Sequence, residues 1–176
     1  HFKVLNISER LVIRPSWEQV PDKPGQTVIV LDPGMSFGTG HHPTTSFCLK
    51  MIDELASSGS RGSFLDAGCG SGILAIAAQK LGFSQVEAFD IDPDAVKVAL
   101  ENFEKNGCMA DIRISTSGLD EFQSGGQRDV IAANILSSIL IKSRGKILSM
   151  LKSGGSLILA GILREEYAGV RDAFVE

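Results

Sequence analysis

Between Ser63 and Gly82 the sequence SFLDAGCGSGILAIAAQKLG sets an apolar strand, a turn with three glycines in five residues and an apolar helix end to end. A strand that turns directly into a helix must send the chain back across a sheet, and the next strand then lies parallel to the first. The unit recurs. QVEAFD reads as a strand with Val86 and Ala88 on one face, and DPDAVKVALENFEKNG as a helix. Asp92 suits its N-cap, Pro93 its first position and Asp94 its first turn, with Asn106-Gly107 as the stop, while Gly82 ends the preceding helix. DIRIS, DVIAAN and SLILAGI are further short strands, and SILIKSRGKILSMLK is a helical stretch between the last two. The alternation predicts an α/β, Rossmann-like doubly wound fold with a mainly parallel sheet and helices on both faces.

Ahead of this pattern, KVLNISERLVIRP holds two short β-rich runs around a polar turn, and PDKPGQ is a loop before the strand TVIVL. Residues 1–26 are therefore expected to be an N-terminal extension or linker and residues 27–176 the main domain. At 176 residues the chain suits one domain, burying roughly 70% of its unfolded surface. It stops at Glu176 inside a helical pattern, so later strands of the sheet are expected to be missing from it.

Several function classes fit poorly. The net charge is −4 with no block of five like charges, which gives no basic stripe for a phosphate backbone, and no direct nucleic-acid partner is expected. Cys48, Cys69 and Cys108 are odd in number and lack the spacing of a zinc site or a disulfide framework. With no apolar run long enough to span a membrane and no export signal, the chain reads as soluble and cytoplasmic.

Open α/β sheets bind ligands outside the carboxyl ends of their strands, where Asp66, Gly68, Gly70 and Gly72 fall. Close strand-helix packing alone would also use such glycines. Gly70 to Ala75 fits G-x-G-x-x-A, and Asp90, twenty residues on, could hold a ribose hydroxyl of NAD. Asp66 argues against that ligand, because a carboxylate beside the turn repels a pyrophosphate and suits an ammonium group. S-adenosylmethionine carries an ammonium and a sulfonium, no phosphate, and a ribose diol for Asp90.

A second polar loop, FGTGHHPTT from Phe37 to Thr45, precedes the apolar run SFCLKMIDEL. Gly38, Thr39 and Gly40 let the backbone approach a ligand closely, and the loop is expected to close over the amino-acid end of the cofactor. It lacks the lysine of a phosphate-binding loop. Thr44 as helix cap, with Pro43 stiffening the entry, is the structural alternative. His41 and His42 have no Cys or carboxylate at ligand spacing, so no metal site is expected.

The ordered segments LDPGMSFGTGHHPTT, LDAGCGSGILAIAAQKLG, DIDPDAV, ANIL and LILAGIL, with RPSW at Arg14 to Trp17, resemble the bacterial methyltransferases of ribosomal protein L-eleven (L11). The likeness runs from about Arg10 to about Leu163. It implies a class I S-adenosylmethionine-dependent fold, methylation of lysine and α-amino groups of that ribosomal protein, and cofactor contacts at Thr45, Gly68, Asp90 and Asn134. The family motif has threonine where this chain has His41, and the family carries an N-terminal substrate-recognition domain, whereas this chain begins at about its linker.

Asn134 ends a strand in AANILSS and is the expected catalytic residue, its amide facing the methyl donor. Methyltransferases of planar amino groups often have Asn-Pro-Pro-aromatic at this place; Asn-Ile-Leu leaves room for an aliphatic amine. The other readings are a methyltransferase of another protein or small-molecule amine, a non-catalytic cofactor-binding domain, and an NAD-dependent oxidoreductase.

Overall fold

The computed structural model describes residues 3–21, 23–32 and 42–175. Three short strands come first: β1 (Leu5–Asn6), β2 (Leu11–Arg14) and β3 (Thr27–Val30). They form a small sheet in which β1 is antiparallel and β3 parallel to β2. The boundary at residue 26 falls inside this sheet, with β2 before it and β3 after it.

The main sheet contains β4 (Ser63–Ala67), β5 (Gln85–Asp90), β6 (Ile112–Thr116), β7 (Arg128–Asn134) and β8 (Leu151–Ala160) in the order β6-β5-β4-β7-β8. All four pairings are parallel. The chain passes from β4 outward through β5 and β6, then returns to the other side of β4, and the crevice between diverging connections opens at the ends of β4 and β7.

Helices α1 (Pro43–Ser57), α2 (Ile73–Lys80) and α3 (Pro93–Lys105) cover one face. Phe64, Val86, Ala88, Val130 and Ala132 bury themselves there against Leu49, Ile76 and Phe103. Helices α4 (Ser137–Lys142), α5 (Arg144–Ser149) and α6 (Tyr167–Val175) cover the other. Leu65, Ala67, Ile131 and Ala133 point to Leu140, Ile147 and Val170 on that side. Residues alternate between the two cores along each central strand, so both strand faces are apolar and neither meets water.

Local signals act where the sequence places them, with two exceptions. Asp92 accepts from Asp94 N at 2.9 Å, Pro93 opens α3, and Gly82 and Gly107 follow helix ends with positive φ. Helix α1, however, is capped by His42, not Thr44: the His42 ring nitrogen Nδ1 accepts from Thr44 N at 3.4 Å and meets Thr44 Oγ1 at 2.8 Å. Pro43 takes the first helical position, as its fixed φ and missing N–H favour. The stretch from Ser137 divides at Ser143 into two six-residue helices and ends at Ser149. Strand β8 then starts earlier than Ser156, because the register jumps from Arg128↔Leu151 to Val130↔Ser156 and the extra residues bulge through Gly154, at φ +75°.

Two side-chain connections hold the small sheet to the domain. Asn106, just past α3, accepts from Val30 N at 2.8 Å and donates to Val30 O at 2.7 Å, taking the place of a neighbouring strand. Arg10 donates to the carboxylate of buried Asp53 at 2.5 Å and to the Asp53 carbonyl at 2.8 Å. Asp32 adds a third: slight burial raises its carboxyl, but the Ser16 N–H at 2.6 Å and Lys105 at 3.0 Å outweigh this and hold it below the usual value.

Candidate functional site

A cavity of about 290 Å³ lies at the carboxyl ends of β4, β5 and β7. Thr45, Asp66, Gly68, Gly70, Asp90 and Asn134 all line it, so the structure brings six of the sequence-predicted residues together. Gly38, Thr39 and Gly40 lie outside the described residues.

The turn after β4 needs glycine for two separate reasons. Gly68, Gly70 and Gly72 have φ of +73°, +52° and +76°, which side chains with a Cβ rarely adopt. Space is equally short: a Cβ on Gly68 would stand 2.5 Å from Ile135 Cγ2, and one on Gly72 2.6 Å from Phe103 Cε1. The turn is tied to the next strand, since Gly68 N and Cys69 N both donate to Phe89 O at 2.9 Å and Gly70 N donates to Asp90 Oδ2 at 2.8 Å. The second oxygen of Asp90 accepts from Asp92 N at 3.0 Å.

Asp66 lies beneath the turn, where Oδ2 accepts from Ala75 N at 3.1 Å and so satisfies an N–H in the first turn of α2. Gly72, the cap of that helix, has no side chain to do this. Burial pushes the Asp66 carboxyl up to about 7; the Ala75 N–H pulls against that shift, and the charge of Asp90 adds to it. Burial also raises the nearby thiols, Cys48 to about 12 and Cys69 further, each aided by Asp66. Both stay protonated and unreactive at neutral pH.

Asn134 ends β7 with Nδ2 donating to Thr45 Oγ1 at 3.3 Å, while its Oδ1 is buried with no donor among the described residues. Thr45 is 1% exposed, on the first turn of α1. The chain comes close behind Asn134 because Gly161, at φ +80°, presents no Cβ; one there would be 2.7 Å from Ile135 O.

Apolar groups complete the cavity. Ile91, Leu119, Ile135 and Ile139 line it, and Phe89 stacks on Phe122 at 4.2 Å between centroids. Sequence reasoning missed them. Ile91 and Ile135 directly follow the predicted strand-end residues Asp90 and Asn134, and that adjacency was the available signal. Among the described lining residues are two carboxylates and no lysine or arginine, an environment that disfavours a diphosphate. Among the described residues, no group of three His, Cys, Asp or Glu side chains could hold a metal ion.

Known proteins resemble this chain along its whole length. The family described as ribosomal protein L11 methyltransferase (PrmA) matches residues 1–176. Ribosomal protein L11 methyltransferases from Geobacter sp. (strain M21) and Trichlorobacter lovleyi are 44% and 48% identical over 99% of this chain. The chain spans 58% of the length of each. A solved structure of a ribosomal protein L11 methylase from Lactobacillus delbrueckii subsp. bulgaricus superposes with a TM-score of 0.85 at 36% identity, covering 98% of this chain and 86% of that one. An RNA methyltransferase from Salinibacter ruber, in complex with S-adenosyl-L-homocysteine, shares the fold at 24% identity and a TM-score of 0.58. With the family match running through the glycine turn, Asp90 and Asn134 alike, the chain belongs to the ribosomal protein L11 methyltransferase family.

Proposed function

We propose that this chain carries the catalytic site of an S-adenosylmethionine-dependent N-methyltransferase whose acceptor is ribosomal protein L11, at lysine and α-amino groups. The observation that carries the reading is the meeting of Asn134, Asp66 and Asp90 in the lining of one cavity with no cationic side chain among its described lining residues. The residues fit the cofactor's chemistry. Asp90 stands where a ribose diol can donate to it, the bare backbone of Gly68 and Gly70 allows close approach, and Ile91 and Leu119 offer apolar walls to a flat base. Asp66 and Asp90 supply negative charge toward a ligand bearing an ammonium and a sulfonium.

When bound, S-adenosylmethionine supplies a methyl carbon on a sulfonium, which passes to the lone pair of the acceptor amine as the sulfur keeps the electrons of the broken bond. The chain's own contribution is placement and exclusion of water. The Asn134 amide would take an N–H of a neutral amine in the cavity and so orient its lone pair. Ile135 and Ile139 give the approach an apolar lining. Losing the proton beforehand costs a lysine about 4 kcal/mol near pH 7.5, and the positive charge of S-adenosylmethionine, held by the residues around Asn134, would lower that cost.

A cytoplasmic setting goes with this acceptor, and no helix among the described residues is long and apolar enough to cross a membrane. The test is calorimetric titration with S-adenosylmethionine, S-adenosylhomocysteine and NAD, followed by transfer of labelled methyl to purified L11. Micromolar binding of the first two with labelling of L11 is expected. Binding of NAD alone would overturn the cofactor, and cofactor binding with labelling of some other amine instead of L11 would overturn the acceptor.

A further inference from the structure

Resting on that reading, we infer that an exposed apolar rim of Leu136, Ile139 and Leu163, set among acidic loops beside the cavity, is where a lysine-bearing segment of the acceptor protein docks. Ile139 lines the cavity and is also 40% exposed, so it stands at the mouth. Leu136, just past β7, is 67% exposed and Leu163, just past β8, 58%, with respect to the described residues. Leu136 and Ile139 are three residues apart at the start of α4 and lie on one side of it. The connection after β8 runs alongside: Asn134 pairs with Ala160 in the sheet, and one oxygen of Glu166 accepts both from Ser137 Oγ and from Leu163 N, the latter at 3.4 Å. A single exposed leucine says little, but a contiguous apolar set at a cavity mouth marks a contact surface.

Charge selects the occupant. The connections leaving the carboxyl ends of β5, β6 and β8 carry Asp92, Asp120, Glu121, Glu165 and Glu166, all exposed, against one cation, Arg164. At the other end of the sheet, the connections into β4, β5 and β6 hold Arg61 and Asp111, which balance. Negative charge is therefore concentrated where the cavity opens. Such a field draws a protonated lysine chain toward the mouth and raises its local concentration. It repels a phosphate backbone and an anionic membrane surface. Apolar anchors in an acidic surround fit a polypeptide whose lysines are flanked by apolar residues. Leu136 and Leu163 take up the apolar side chains, and the amine passes Ile139 to reach Asn134 in the cavity. Affinity for the acceptor then belongs to the rim and affinity for the cofactor to the cavity, so the two separate in kinetics.

Leu136→Ser combined with Leu163→Ser removes the anchors without touching the cavity lining. In the natural full-length enzyme the double variant is expected to raise KM for L11 at least about tenfold, the scale of leaving leucine side chains uncovered. The Kd for S-adenosylhomocysteine should stay within about threefold, and methyl transfer to free Nα-acetyl-lysinamide should be unchanged. Leu148→Ser, at an exposed position of α5 near the amino end of β8, is the control and should leave KM alone. Glu165→Lys should raise KM for L11 several-fold at low salt, with the difference lost at roughly 0.5 M salt. A readout independent of turnover is backbone hydrogen exchange: L11 added with S-adenosylhomocysteine should protect residues 135–140 and 162–167 in the wild type and not in the double variant. Unchanged KM in the double variant, or methylation of L11 while those amides stay unprotected, would overturn the inference. Equal losses toward L11 and the small amine would do the same, making the leucines part of the cavity's support. No methyl transfer to L11 by the wild-type enzyme would fail the proposed acceptor instead. Exchange with a synthetic peptide alternating lysine and leucine would then decide the rim, protection upholding it and its absence overturning it.

Discussion

Gly70 donates its backbone N–H to the carboxylate of Asp90 at 2.8 Å, so the glycine turn after β4 and the acidic end of β5 form one connected unit. A ribose diol arriving at Asp90 meets a carboxylate already held in place by two backbone N–H groups. Asp90→Ala removes both the acceptor and the brace of the turn. Affinity for S-adenosylhomocysteine should fall roughly 10- to 100-fold, matching one charge-assisted hydrogen bond of about 1.5–3 kcal/mol. Isothermal calorimetry checks it; unchanged affinity would remove Asp90 from the site.

Asn134→Ala should bind S-adenosylhomocysteine within a few-fold of wild type and lose methyl transfer by a factor on the order of 100, the size usual for a group that acts in the transition state. Single-turnover transfer of labelled methyl separates the two quantities. Full turnover in the variant would exclude Asn134 from the chemistry.

Asp66 couples the site to pH. Its folded value, raised by burial to about 7, exceeds that of the unfolded chain near 3.8, so between these values the folded state holds a proton that the unfolded state has released. Stability from this group is complete below about pH 4 and is lost as pH rises toward 7, at about 1.4 kcal/mol per unit of difference. Asp66→Asn should flatten that decline in urea titrations from pH 4 to 8. A cationic ligand favours the ionised form, so cofactor binding should release protons near pH 6–7 and tighten as pH rises; calorimetry in buffers of different ionisation enthalpy counts them.

Gly72→Ala and Gly107→Ala separate strain from crowding. Both glycines have positive φ, at +76° and +68°, but the added Cβ meets Phe103 at 2.6 Å in one case and nothing within 4 Å in the other. Gly107→Ala should cost about 1–2 kcal/mol, and Gly72→Ala roughly 1–3 kcal/mol more for overpacking. Equal urea midpoints would refute the crowding.

Asn106→Ala strips both hydrogen bonds from the Val30 backbone and should loosen the small sheet, costing about 1–3 kcal/mol. Lys105→Ala breaks only an exposed ion pair with Asp32 and should cost under about 1 kcal/mol. Amide exchange at Val30 is the sensitive probe, and equal protection in the two variants would contradict the bridging role.

What the sequence made legible was mostly local. The glycine turn, the Asp92 cap and the Gly82 and Gly107 stops depend on residues within a few positions, and the structure uses each of them. The pairing of β2 with β3 joins runs about a dozen residues apart in parallel, and nothing in either run specifies its partner. The β8 bulge hides for the same reason, since only the register against β7 exposes it. Asp90 and Asn134 were legible as polar residues at strand ends; the Thr45 contact to Asn134 was not, because it spans 89 residues.

Strand order also dictates when the site can exist during folding. The contact between Gly70 and Asp90 closes 20 residues, whereas β7 is fastened to β4 across 66, as between Asp129 and Ser63. Closing the longer loop carries the larger entropic cost and comes later. A chain emerging from synthesis can therefore assemble the glycine turn and Asp90 while Asn134 is still unplaced. The two halves of the cavity meet only when β7 enters beside β4, so competence for chemistry arrives in a single late step.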